Sequence, residues 1–95
     1  MPERLAENEI NDRLKALSGW KRSGEQIEKE FEFKDFAKAL AFVNSVGDEA
    51  ERMDHHPDLL LHSWNKVKIT LTTHSAKGLT ENDIELARKI DNLQQ

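Results

Sequence analysis

All four histidines of the 95-residue chain, His55, His56, His62 and His74, fall within one stretch of twenty residues. Histidine is the side chain whose ordinary pKa of about 6.5 lets it give or take a proton near neutral pH. A neighbouring carboxylate fixes its tautomer and holds its charge. Glu51 precedes the cluster, Asp83 follows it, and Trp64 lies inside it. His55, His56 and His74 with Glu51, Asp83 and an aromatic wall suit proton transfer on a flat, polar heterocycle. Each residue also has a purely structural explanation. Histidines at a helix exit cap its last carbonyls. Asp83, three residues after Thr80, fits a capping box, and Glu51, four before His55, fits a helix-surface pair. Trp20 and Trp64 have the character of core or interface aromatics, and His62 that of an edge-strand residue.

Other chemistries find less support. Zinc would need a spacing such as His-x3-His, HExxH or paired cysteines, and none is present, so no metal is expected. Ser63 and Ser75 lie near histidines but outside any GxSxG elbow, and the four glycines are isolated, which excludes a phosphate-cradling loop. The net charge of -4 argues against a grip on nucleic acid, which requires a basic face. No apolar run approaches the ~20 residues of a membrane span. The charged start Met1-Pro2-Glu3-Arg4 leads into no apolar segment, so no secretory signal is expected. The absence of cysteine fits a reducing, cytoplasmic setting. A single domain spanning 1–95 is expected, small enough for self-association to add useful stability.

The elements that must position these side chains follow from periodicity. Leu5, Ile10, Leu14 and Leu17 predict an amphipathic helix over 8–17. Ser18-Gly19 ends it, Trp20 begins a short strand, and Ser23-Gly24 turns into a second strand over 26–33, with Ile27, Lys29, Phe31 and Phe33 on one side and Glu28, Glu30 and Glu32 on the other. A helical stripe of Phe36, Leu40, Val43, Val46, Ala50 and Met53 defines a central helix, which must stop near His55-His56-Pro57. The apolar run 59–64, a turn at Asn65-Lys66 and a strand over 67–73 form a second hairpin. Thr80-Glu81-Asn82-Asp83 starts a last helix with Ile84, Ala87, Ile90 and Leu93 on its stripe. The order helix, hairpin, helix, hairpin, helix predicts a two-layer α+β fold, with a four-stranded antiparallel sheet carrying three helices on one face.

The pattern Glu51-x3-His55-His56-Pro57-x6-Trp64-x9-His74-x8-Asp83 resembles the signature of the pterin-4a-carbinolamine dehydratase family. Gly19-Trp20, Phe33-Lys34-Asp35-Phe36, Asn65-Lys66-Val67 and Gly78-Leu79-Thr80-Glu81 extend the likeness over about residues 13 to 91. The resemblance implies a lyase that dehydrates 4a-hydroxytetrahydropterin to quinonoid dihydropterin in tetrahydrobiopterin recycling, with no metal or organic cofactor. It implies His55 and His74 as the acid/base pair and His56 as a binding or orienting histidine. Glu51 and Asp83 would hydrogen-bond the pterin or the histidines, and Trp64 and the backbone near Thr73 would line the pocket. It also implies a homodimer or homotetramer and no nucleic-acid or membrane partner. Two departures, Asn82 for a common Arg and Leu59 for a common Trp, bear on substrate affinity more than on reaction type. A non-catalytic interaction or assembly role is the competing expectation, since relatives of the family also act as partners of other proteins.

Overall fold

The computed structural model describes residues 3–93; Met1 and Pro2 of the charged start lie outside the described residues. The elements run α1 (Glu7–Lys15), β1 (Lys21–Ser23), β2 (Gln26–Glu32), α2 (Phe36–Met53), β3 (Asp58–His62), β4 (Lys66–Leu71) and α3 (Glu81–Leu93), with a short 3-10 turn at His74–Ala76 before α3. The strands form the expected four-stranded antiparallel sheet, in the order β1-β2-β4-β3, with the two hairpins joined through β2 and β4. Ile27 pairs with Leu71 and Phe31 with Val67, and all four are buried beneath the helices together with Ile69. Against them pack Ala39, Phe42, Val46 and Ala50 of α2 and Ile84, Leu86, Ala87 and Ile90 of α3. On the open face, Glu28 stands opposite Thr70, Glu30 opposite Lys68 and Glu32 opposite Lys66. The acidic stripe is thereby matched by lysines in two of three pairs, a favourable cross-strand arrangement.

Several boundaries differ from the expectation, each for a physical reason. α1 ends at Lys15 rather than Leu17, because Ala16 and Leu17 close it with tighter i→i−3 hydrogen bonds to Arg13 and Leu14. Trp20 precedes β1 instead of starting it, since its indole is buried and donates to both carboxylate oxygens of Asp91 at 3.1 Å. Lys29 faces the core side as predicted. Its ammonium is accommodated by Asp91 at 2.9 Å and the Ser18 carbonyl at 2.7 Å, and lies 4.9 Å from the Phe31 ring centre. The second hairpin turns at Ser63-Trp64-Asn65, not Asn65-Lys66. Asn65 is committed to β2, donating from Nδ2 to the Phe33 carbonyl at 2.9 Å and accepting from the Phe33 amide, which leaves Ser63 and Trp64 to turn the chain with φ of 51° and 59°. β4 stops at Leu71, and the predicted extension to Thr73 survives only as a bridge between Thr73 and Gly78.

α2 starts where Asp35 accepts a hydrogen bond from the Lys38 amide at 2.9 Å. Its buried stripe is rotated from the predicted one. Phe36 and Leu40 are 50% and 45% exposed, while Ala39 and Phe42 take the core side. Apolar residues occupy both faces of this helix, and sheet aromatics decide between them: the Phe42 ring lies 4.9 Å from Phe31 and 4.8 Å from Phe33.

Ion pairs tie the N-terminal helix to the rest. Arg22 grips Glu7 with two hydrogen bonds, at 2.7 and 2.9 Å, and Arg13 forks onto Glu81 in the first turn of α3. The Arg13 guanidinium holds the Glu81 carboxyl below its ordinary value of 4.5, first by hydrogen bonding, against a smaller opposing effect of burial. A carboxyl lowered in the folded state stabilises it above about pH 4.5 and loses that contribution as pH falls below this value. Arg13→Ala is therefore expected to lower the urea midpoint at pH 7 and to leave it nearly unchanged at pH 2; an equal loss at both pH values would show that the contact is not electrostatic.

Candidate active site

The exit of α2 fixes both adjacent histidines. Asp54 adopts the left-handed conformation at φ 51°, its amide bonds to the Glu51 carbonyl at 3.2 Å, and the His55 amide reaches back to the Ala50 carbonyl at 3.0 Å. This Schellman pattern satisfies two terminal carbonyls and locks the His55 backbone. Pro57 then holds His56 out of a helical conformation and leads into β3. The two imidazoles consequently diverge. His55 is 9% exposed and places Nε2 2.6 Å from Asp83 Oδ1, whereas His56 is exposed and places Nε2 2.5 Å from Glu51 Oε2. Glu51 thus serves His56 rather than His55, its i+4 neighbour.

Asp83 is fully buried at the start of α3. Its second oxygen accepts the Thr73 hydroxyl at 2.8 Å and the Thr80 amide at 3.0 Å, and the Thr73 and Thr80 hydroxyls are 2.8 Å apart. Half of the capping box is therefore present, and the same carboxylate holds His55. The residues that make Asp83 a helix cap also make it a histidine partner. Thr73, placed by the paired amide and carbonyl contacts to Gly78, brings the end of β4 into this cluster, and His74 follows it directly in the exposed 3-10 turn.

A groove of about 400 Å³ runs beside α2 and β3, lined by Val43, Gly47 and Glu51 of α2, His56 and Pro57 of its exit and Leu59 of β3. Its size suits a small heterocycle, and Leu59 stands in it as the hydrophobic wall noted in the sequence. Asn82 is half-buried, with its amide bonded to Thr80 Oγ1 at 3.2 Å. A second groove, of about 380 Å³, lies by Lys21, Glu28 and Lys68 and contains no histidine.

Trp64 is not brought to this cluster. It sits 61% exposed in the β3–β4 turn, beyond the His62–Lys66 pair, while Pro57 and Thr73 lie past the opposite end of the ladder. Five residues of strand separate the two ends by about 16 Å. His62 is half-buried on the edge strand, as expected, bonded to Glu30 at 2.6 Å and to Ser63 at 3.0 Å. Thr73, expected to line the pocket through its backbone, reaches Asp83 with its hydroxyl, and Thr80 joins it. Thr80 was visible as a helix cap, but nothing in its spacing links it to a histidine twenty-five residues earlier.

Residues 3–93 match the family described as pterin 4 alpha carbinolamine dehydratase. A protein of Thermosynechococcus vestitus, provisionally named a pterin-4-alpha-carbinolamine dehydratase, is 50% identical over 98% of this chain and 97% of its own length. One from Sulfurisphaera tokodaii with the same provisional name is 47% identical over 96% and 97%. The crystal structure of a transcriptional coactivator/pterin dehydratase from Brucella melitensis superimposes with a TM-score of 0.89 at 43% identity, covering 95% of this chain and 97% of that one. A pterin dehydratase-like RuBisCO assembly factor of the alpha-carboxysome shares the fold alone, at 24% identity and a TM-score of 0.67 over 79% of this chain and 88% of that one. The chain belongs to the pterin 4 alpha carbinolamine dehydratase family.

Proposed function

We propose that this chain dehydrates a 4a-hydroxytetrahydropterin to the quinonoid dihydropterin, as a step in tetrahydropterin recycling. The observation that carries the reading is the buried Asp83–His55 pair, next in sequence to His56, which with Glu51 lines a groove. In the reaction the C4a–O bond breaks, the hydroxyl leaves as water with a proton supplied by an acid, and a base takes the proton from the neighbouring ring nitrogen. No electrons are exchanged, so the chemistry asks for an acid and a base within about 3 Å of the ring and for no metal or organic cofactor. His55, held by Asp83, and His74, exposed in the adjacent turn, form the acid/base pair. His56, braced by Glu51, binds and orients the ring in the groove. Thr73 and Asp83 act from beneath, through His55. Trp64 is too far along the hairpin to line the same groove within one chain.

The family resemblance also favours a homodimer or homotetramer. Phe36 and Leu40 on α2 and Leu59 and Leu60 on the edge strand β3 are exposed large apolar side chains, the composition of an interaction surface. We place the protein in the cytoplasm, where a cysteine-free chain is at no disadvantage. A partner-binding role is the second reading. It is favoured by the coactivator designation of the 43%-identical Brucella protein and separated from the first by the catalytic assay.

Purified protein added to chemically generated 4a-hydroxytetrahydropterin is expected to accelerate the rise in quinonoid absorbance. His55→Ala and His74→Ala should each lower the rate by about 10²-fold or more, the usual share of one general acid or base. Wild-type protein no faster than buffer removes the dehydratase reading, and fully active histidine variants remove the role assignment. Light scattering should report an oligomer that Leu40→Glu shifts toward monomer; a monomeric wild type refutes the assembly.

A further inference from the structure

With Asp83 as a carboxylate, the hydrogen-bond network around it has one consistent direction. A carboxylate oxygen accepts and does not donate, so the single Thr73 hydroxyl hydrogen goes to Asp83 Oδ2 at 2.8 Å. The 2.8 Å contact between the Thr73 and Thr80 hydroxyls must then use the Thr80 hydrogen. Thr80 Oγ1 in turn accepts from the Asn82 amide at 3.2 Å, an amide in the first turn of α3 that has no carbonyl within the helix to bond. The chain of donation runs from the α3 N-terminus through Thr80 and Thr73 to Asp83. Oδ2 receives a second donor, the Thr80 amide at 3.0 Å, which is the environment of an acceptor-only carboxylate. The 2.6 Å contact between Asp83 Oδ1 and His55 Nε2 is therefore a donation from the imidazole. Thr80 and Asp83 are fully buried, and Thr73 and His55 are 6% and 9% exposed, so little water can scramble the order.

We infer that His55 is held as its Nε2–H tautomer, leaving Nδ1 as the nitrogen that exchanges the reaction's proton, and that Thr73 and Thr80 are positioning residues that set this state through Asp83. Identifying that proton as the pterin's rests on the dehydratase reading; the tautomer does not. Both fixed donors go to Oδ2, which leaves the carboxylate's Oδ1 as the acceptor for Nε2–H, so the buried chain selects one imidazole state before substrate binds. Cooperative polarisation along such a chain strengthens each member.

The test is nitrogen-15 NMR of histidine side chains at mildly alkaline pH, with the His55 signals assigned by their loss in His55→Ala. A protonated Nε2 and a bare Nδ1 are expected; a protonated Nδ1 overturns the inference. Thr73→Val should produce mixed tautomers and lower kcat about tenfold with little change in KM, the effect of one lost hydrogen bond, and Thr73→Ser should restore both. A valine variant that keeps the wild-type tautomer and kcat, or a serine variant as impaired as valine, overturns the positioning role. Wild-type protein with the expected tautomer but no dehydratase activity leaves the tautomer in place and removes only the dehydratase reading.

Discussion

The Asp83 carboxylate joins the three parts of the chain on which the candidate site depends. It caps the N-terminus of α3, accepts from the end of β4 through Thr73, and holds the imidazole that leaves α2. A fully buried carboxylate is costly unless its lone pairs are satisfied. Here the Thr80 amide, the Thr73 hydroxyl and the His55 imidazole satisfy it, and no buried side-chain polar atom among the described residues is without a partner. The same requirement that stabilises the carboxylate fixes the relative positions of His55, Thr73 and the α3 start. Removing the imidazole would leave Oδ1 a buried acceptor without this donor, so the site and the fold are coupled.

Backbone constraints deliver the side chains to that carboxylate. The left-handed Asp54 and the backward bond from His55 to Ala50 end α2 abruptly, and Pro57 directs the next residues into β3. Adjacent histidines then point to different carboxylates: one to the buried Asp83, one to the exposed Glu51. This division gives the site one imidazole in a controlled, nearly dry environment and another at the mouth of the groove. In a low-dielectric setting the first interaction is less screened than the second.

Conflicts between local pattern and global packing account for the places where sequence and structure part. α2 offers apolar residues on two faces, and only contact with Phe31 and Phe33 chooses Phe42 over Phe36 and Leu40 for the core. The rotation leaves Phe36 and Leu40 exposed. Lys29 is a similar case. Strict alternation placed it inward, and Asp91, sixty-two residues later, makes that placement tolerable.

What the sequence determined by itself is local: strand alternation, the helix start at Thr80, the stop at His55-His56-Pro57, and a crowded set of histidines whose spacing carries the family likeness. These follow from periodicity and backbone chemistry within a few residues, and they sufficed for the order of elements and the antiparallel two-layer fold. Tertiary structure decided which carboxylate serves which histidine, pairing His55 with Asp83 across twenty-eight positions and His56 with Glu51. It also separated Trp64 from the cluster, by length of strand, and recruited the Thr73 and Thr80 hydroxyls. Hydrogen bonds act over about 3 Å of space irrespective of distance along the chain, so their partners become readable only once the sheet and helices have brought the ends of α2, β4 and α3 together.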